Sequence, residues 1–379
     1  MHQKLLAAAL SGLSAILFGL LAAGTAAGFV LYPANGFLGY TYNKWGDPAV
    51  GTGAVIYWSL MAPGTGGSAY CGGACPGSST LTLPNFYDWN THSFVSVQLS
   101  DPTVIGYIQN AFNTWAKTAN VTFRYLPTDS GVPVNDAAAE PPGTGHIRIG
   151  VFNPGFAGPA AVGYAPPPNG FIPNSSQLAT GAGDILFNGA YAYQNPVGNE
   201  GAPLESYPVG GGPYLNDFQG LVLHEIGHAL GMDHSNVGDA VMCGYPNTCI
   251  FDNVQTYAIN RALNPDDVAG IITVYGSAPD ADLDGMVDSL DNCRLVVNAN
   301  QLDSDGDRYG NICDADLNNS GLVTTADFGL LRAVLGQSAS ANPTAAAADM
   351  NGSGTVTTAD FGLLRARLGT PPGPSGLVP

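Results

Sequence analysis

The sequence predicts an α/β domain, with a mixed sheet packed on helices, followed by small loop-and-helix modules rich in aspartate. Three observations carry this prediction. Between residues 54 and 276, short apolar runs of strand character interleave with segments whose apolar residues recur at helical spacing. Beyond Gly276, apolar strands give way to Asp-rich loops. Further on, a unit is repeated: DLNNSGLVTTADFGLLRAVLG from Asp316 and DMNGSGTVTTADFGLLRARLG from Asp349.

The elements follow in order. Lys4 precedes an apolar run, Leu5 to Ala23, and small residues surround Ala26 and Ala27. This reads as a secretory signal peptide over 1–27, cleaved near Ala27. The rival is an uncleaved anchor, because the run is nearly long enough to span a membrane; the small residues favour cleavage. Residues 28–53 form a short N-terminal segment. Ala54 to Met61 reads as a strand, Ile105 to Ala116 as a helix and Val121 to Leu126 as a strand. His146 to Phe152 and Asp184 to Phe187 are further strands. Asn216 to Leu230 and Pro265 to Tyr275 are helices. The stretch 153–212 is rich in Gly, Pro and Asn, so much of it is loop. The tail, 370–379, is rich in Pro and Gly and reads as flexible.

Charge narrows the function. The chain has 11 Lys plus Arg against 29 Asp plus Glu, a net charge of −18. Nucleic-acid binding needs basic surface and is excluded. From Asp280 onward every acidic residue is Asp. Generic surface acidity mixes Asp with Glu, so spaced Asp points to calcium loops. Six cysteines fall into the close pairs Cys71 with Cys75, Cys243 with Cys249, and Cys293 with Cys313. In an exported chain these are disulfide candidates; sequence alone leaves the pairing open.

Residues 224–234 read HEIGHALGMDH. On a helix, residues 224 and 228 lie about 40° apart and one turn from each other, so both imidazoles reach one ion. Gly231 can take positive φ and end the helix, and the chain then returns His234 to the same ion. Three neutral His ligands, His224, His228 and His234, leave a fourth position open, as one catalytic Zn2+ requires. A carboxylate at Glu225 is placed to take a proton from the activated water.

This pattern resembles the metzincin clan and, within it, the matrixins. Met242 in AVMCGYP stands where that family has its Met-turn residue. LNPDDVAGIITVYG resembles its C-terminal helix, AFNTWAKTANVTFRYL its first helix and following strand, and GHIRIGVF and GDILFN its sheet strands. The resemblance covers 54–276. It implies a metzincin-type fold, a mixed twisted sheet with an active-site helix, and zinc-dependent hydrolysis of protein or peptide substrates. By the same resemblance, Gly183 to Asn188 is the sheet edge that aligns an extended substrate. The family's structural zinc needs further His residues, including one where Leu186 stands. Only His92 and His146 remain, so a three-His second site cannot form. No segment resembles the family's cysteine-switch propeptide.

In the region 280–315, DADLDGMVDSLDNC and DSDGDRYGNICD alternate Asp with other residues and resemble thrombospondin type 3 repeats. The candidate Ca2+ ligands are Asp280, Asp282, Asp284, Asp288 and Asp291, then Asp303, Asp305, Asp307 and Asp314. Arg308 stands where that pattern usually has Gly. The repeated unit, 316–369, resembles a dockerin. Its ligand positions are Asp316, Asn318, Ser320, Thr324 and Asp327, then Asp349, Asn351, Ser353, Thr357 and Asp360. The resemblance implies a cohesin-type partner; a calcium-stabilised cap without a partner stands beside it. The chain as a whole reads as secreted and extracellular, with no membrane contact after signal cleavage. A calcium-dependent attachment protein with a vestigial or self-processing protease domain is the second class of reading. The retained Glu225 argues against it.

Overall fold

The computed structural model describes residues 28–34, 41–67, 81–129, 131–134, 146–154, 159–166, 182–196, 198, 215–244 and 261–378. The chain enters as β1 (Val30–Leu31) and β2 (Ala54–Leu60). A hairpin of β3 (Thr82–Asp88) and β4 (Ser93–Gln98) precedes helix α1 (Pro102–Ala116) and β5 (Val121–Tyr125). Then come β6 (Ile147–Phe152), β7 (Ala161–Gly163), β8 (Ile185–Asn188), β9 (Ala192–Gln194) and β10 (Leu215–Asp217). Helix α2 (Phe218–Ala229), β11 (Met232–Asp233) and α3 (Pro265–Tyr275) complete this part.

Five strands form the main sheet in the order β5-β2-β6-β8-β7. The first four run parallel, and β7 is antiparallel to β8, with Val162 opposite Leu186. This corrects one expectation. The Gly183 to Asn188 strand is internal; the edge is Ala161–Gly163. Three residues, AVG, within a Gly- and Pro-rich stretch carry no alternation by which a strand could be read. A second sheet, β10-β9-β3-β4, was also illegible. Pro84 breaks the strand pattern of β3, and the register shifts between Leu83 and Phe86.

Helix α1 starts earlier than its apolar spacing suggests. Asp101 caps it, accepting from Thr103 N at 2.8 Å, and Pro102 fills the first turn. Its Val104, Ile108, Phe112 and Trp115 are buried beneath the main sheet's core residues Ile56 and Trp58. The described residues of the N-terminal segment, 28–34 and 41–53, are part of this domain. β1 pairs with β11, and Leu31 and Trp45 lie in the common core.

Beyond Gly276 the loops from Asp280 and Asp303 precede α4 (Thr325–Val334), α5 (Pro343–Ala348) and α6 (Thr358–Arg367). Thr324 and Thr357 cap α4 and α6 through capping boxes closed by Asp327 and Asp360. A small separate core of Val323, Leu331, Ala345, Met350, Val356 and Leu364 joins the two copies. The tail differs from the flexible segment expected. Arg294 N donates to Pro374 O at 3.0 Å and Gly376 N to Asp291 O at 2.7 Å. Backbone pairing with the loop region, which its composition does not advertise, orders it. Among the described residues, no helix is long and apolar enough to cross a membrane.

Candidate metal centre

Helix α2 carries His224, Glu225 and His228 within the core of the first domain. Its Val222, Leu223, Ile226 and Ala229 are buried in the core. The helix ends at Gly231, whose φ is +103°. A side chain there is excluded twice, because a Cβ would lie 2.1 Å from Asn43 O. The last carbonyls are not left open. Trp45 Nε1 donates to Ala229 O at 2.8 Å and Tyr275 Oη to Leu230 O at 3.1 Å. The turn at Gly231 then brings His234 back to the helix.

One metal-binding nitrogen from each of His224, His228 and His234 falls within a set spanning no more than 4.8 Å. His228 Nε2 and His234 Nε2 are 3.2 Å apart. The other nitrogens explain the convergence. His224 Nδ1 donates to Val241 O at 2.6 Å and His228 Nδ1 to Met232 O at 2.8 Å. Those carbonyls fix the tautomer that leaves an Nε2 lone pair for a metal. Burial pushes His224 down to about 4 and His228 well below its ordinary value, keeping both rings neutral. The donor set fits zinc.

Glu225 is 4 % exposed. Burial pushes its carboxyl up to about 8, and the Gly163 N–H that donates to it pulls the other way. Gly163 ends the edge strand β7, and a Cβ there would lie 2.4 Å from Glu225 O. The sheet edge thus lies against helix α2 only because residue 163 lacks a side chain.

Several supporting residues escaped the sequence reading. A Cβ at Gly227 would meet Met242 Sδ at 2.2 Å, so glycine lets Met242 lie beneath the helix. A Cβ at Gly244 would meet the His234 ring at 2.2 Å. Asp267, fully buried, accepts from Val241 N at 2.8 Å and Met242 N at 3.0 Å, tying the Met242 turn to α3. Asp266 accepts from Ser235 Oγ at 2.6 Å and from Gly28 N at 2.8 Å. Glycines facing a named partner and adjacent carboxylates at a helix start are the signals that were available.

His92 and His146 are held separately. His92 Nδ1 lies 3.2 Å from Tyr87 Oη, whereas His146 stacks on Trp45. Leu186 is buried with Met61, Val134 and Phe152. Nearby, Arg148 pairs with Asp184 through Nε at 3.0 Å and Nη2 at 2.6 Å. Burial pushes Asp184 up to about 7, and Arg148 counters it.

The four Asp loops share one backbone trace. The fourth and sixth residues of each have positive φ: Leu283 (65°) and Gly285 (94°), Gly306 (79°) and Arg308 (79°), Asn319 (55°) and Gly321 (86°), Gly352 (67°) and Gly354 (89°). Arg308 therefore adopts the backbone that glycine would, at a strain of about 1–2 kcal/mol. The first Asp of each loop accepts backbone N–H groups from its own turn: Asp280 from Leu283 and Gly285, Asp303 from Gly306 and Arg308. Asp316 and Asp349 do the same for Ser320 and Ser353 at 3.1 and 3.0 Å.

Asp280, Asp282 and Asp284 converge within 4.8 Å, as do Asp303, Asp305 and Asp307. Asp282 Oδ2 and Asp291 Oδ2 are buried without a hydrogen-bond partner, which fits oxygens that ligate a cation. Asp288 is turned elsewhere, to Ala281 N at 2.8 Å and Arg294 Nη2 at 3.2 Å. Asp314 accepts from Asp316 N at 2.8 Å, and burial beside Asp307 and Asp305 pushes it up to about 7. In the repeated unit, Asp327 accepts from Asn318 N and Asp360 from Asn351 N. Thr324 and Thr357 Oγ1 contact Asp327 and Asp360 Oδ2 at 2.9 and 3.0 Å. Cys293 and Cys313 form a disulfide, and Cys243 is also bridged. Cys71, Cys75 and Cys249 lie outside the described residues.

Comparison with known proteins accords with this geometry. The matrixin family model matches residues 172–276, and the dockerin type I domain model matches residues 314–369. The chain is 28 % identical over 193 residues to the hatching enzyme of Paracentrotus lividus, covering 49 % of this chain and 25 % of that one. It is 36 % identical over 80 residues to metalloendoproteinase 4-MMP of Arabidopsis thaliana, covering 21 % of each. It is 36 % identical over 98 residues to matrix metalloproteinase-B of Caenorhabditis elegans, covering 26 % of this chain and 16 % of that one. The chain thus spans a quarter or less of the length of these relatives.

Proposed function

We propose that this chain, with its matrixin and dockerin type I domains, is a secreted zinc-dependent endopeptidase. His224, His228 and His234 hold one zinc ion, and Glu225 is the general base. The convergence of three ring nitrogens, two of them with their opposite nitrogens fixed on carbonyls, carries this reading. When bound, zinc supplies a Lewis acid that polarises the scissile carbonyl and acidifies the attacking water. Glu225 takes the proton from that water and delivers it to the leaving amine. The Gly163 N–H that donates to its carboxylate favours the charged form, the one that takes the proton. The edge strand β7 offers backbone groups to an extended peptide laid beside α2.

Calcium occupies the loops from Asp280, Asp303, Asp316 and Asp349 in this reading. The first two act as thrombospondin type 3-like repeats and the last two as the dockerin pair. The unpartnered oxygens of Asp282 and Asp291 support the first site. The dockerin domain takes a cohesin-type partner, and the signal segment 1–27 directs export.

The test compares wild type with Glu225→Ala on casein, with zinc counted on both. Cleavage by wild type alone, at one zinc per chain in each, is the expected result. Equal cleavage by both proteins would overturn the role of Glu225. Zinc on both with cleavage by neither would favour a calcium-dependent attachment protein with a vestigial protease domain.

A further inference from the structure

The segment after α6 is more tightly engaged than a tail needs to be. From Pro371 it runs back over the Asp loops. Gly373 N donates to Cys313 O at 3.2 Å, Arg294 N to Pro374 O at 3.0 Å and Gly376 N to Asp291 O at 2.7 Å. Ser375 Oγ donates to Arg308 O at 2.7 Å. The segment therefore crosses both loops, the one from Asp280 and the one from Asp303. It then leaves them, and Arg124 Nη2 donates to Val378 O at 2.9 Å. Arg124 belongs to β5, in the first domain.

Two further observations mark this as a built seat. A Cβ on Gly376 would lie 1.8 Å from Asp288 O and 3.1 Å from Asp291 O. Both contacts are backbone, which cannot swing away, so the seat admits glycine alone. Arg294 and Arg308 also lie within electrostatic reach of Arg124. The carbonyl of Val378 at the far end of the segment meets the Arg124 guanidinium, while Arg294 is itself paired with Asp288 at 3.2 Å.

We propose that Pro371–Val378 is a strap that fastens the Asp-loop region and the dockerin pair to the first domain, at the sheet edge opposite the metal centre. The topology gives the strap its use. In the order β5-β2-β6-β8-β7, Arg124 stands on one edge strand and Gly163, beside Glu225, on the other. A partner held by the dockerin pair is therefore anchored away from the edge at which substrate is laid. The strap itself does not depend on the protease reading, but the use given to it, with substrate at one edge and a dockerin partner at the other, rests on that reading. Calcium enters only because the carbonyls of Asp288 and Asp291, on which Gly376 sits, belong to a loop read as a cation site.

The experiment uses the full chain, a chain ending at Thr370, and Gly376→Ala. Small-angle scattering in calcium gives the radius of gyration, and limited digestion with proteinase K gives the rate of cutting between Gly276 and Asp280. Zinc content and circular dichroism confirm that each variant is folded. The strap predicts a larger radius and at least tenfold faster cutting in both variants, with calcium content unchanged. An unchanged radius and cutting rate in both variants would overturn it. A chelator should open the full chain to the same extent. If the chelator leaves the full chain closed while both variants open, the strap stands and the calcium assignment of its seat falls.

Discussion

The two halves of this molecule are held together by different physics. In the first domain, side chains such as Trp58, Phe112, Trp115 and Phe218 are fully buried in one core shared by sheet and helices. In the region beyond Asp280, much of the shape comes from aspartates that accept backbone N–H groups of their own turns, and the small core is built largely from Val, Leu and Ala. Leu283, Leu295 and Val297 there are exposed, at 84 %, 63 % and 61 %. The first half carries its stability in apolar burial. The second leaves carboxylates clustered against one another, a state that a divalent cation relieves.

This contrast can be broken at several points. The largest effect of a single substitution should come from Phe218→Ala. Phe218 is fully buried against Phe86, Phe187 and Tyr193, so the loss should be about 3–5 kcal/mol. Chemical denaturation should show that loss equally with and without calcium; a calcium-dependent loss would mean that the halves are not energetically distinct.

Calcium removal is next. Calcium at a hundred times its dissociation constant stabilises by about 2.7 kcal/mol per site. Hydrogen exchange should rise across 280–369 when calcium is withdrawn at fixed free zinc, and stay unchanged in α1. Protection that is equal in both states would contradict the calcium reading.

A smaller effect sharpens the comparison within the second half. Thr324→Ala removes the side chain that accepts from Ala326 N and closes a capping box. The expected loss is about 1 kcal/mol, read as a lowered melting midpoint. Thr357→Ala, at the matching place in the second copy, should cost the same. Unequal losses would show that the two copies do not carry equivalent loads.

The smallest effect is one of pH. His146 Nδ1 accepts from Tyr57 N at 3.3 Å, and burial pushes the ring below its ordinary value. The unfolded chain takes up this proton near pH 6.5 and the folded chain only at lower pH. The folded state therefore binds fewer protons in that window, and stability falls as pH drops through it. His146→Gln should flatten the melting midpoint between pH 7 and 5 while zinc content stays at one per chain. Loss of zinc would place His146 in the metal site.

Much of the fold was readable. Helix α3 falls where its apolar spacing and the Asn264-Pro265 start place it. β2, β5, β6 and β8 lie within a residue or two of the expected runs, because each is a short run rich in β-branched, aromatic and aliphatic residues. The strands that were missed are β1, β3, β4, β7, β9, β10 and β11; all but β3 and β4 are only two or three residues long, and Pro84 interrupts β3. Their existence depends on neighbours distant in sequence. β9, for example, is paired with β3 on one side and β10 on the other.

The metal centre divides in the same way. His224, Glu225 and His228 are local: one helical turn places them together, and the spacing to Gly231 and His234 specifies the return. The Asp loops are local too, since each ligand set lies within a dozen residues. By contrast, only the folded chain brings Gly163 to Glu225, Gly227 to Met242, Asp267 to the Met242 turn and Arg124 to Val378. The candidate ligands and the repeat are both legible from short-range spacing alone. Tertiary structure decided which strand forms the sheet edge, what orients the histidines and where the tail is held. Those outcomes rest on backbone pairing and steric fit between segments that are far apart in the chain, and no local pattern encodes them.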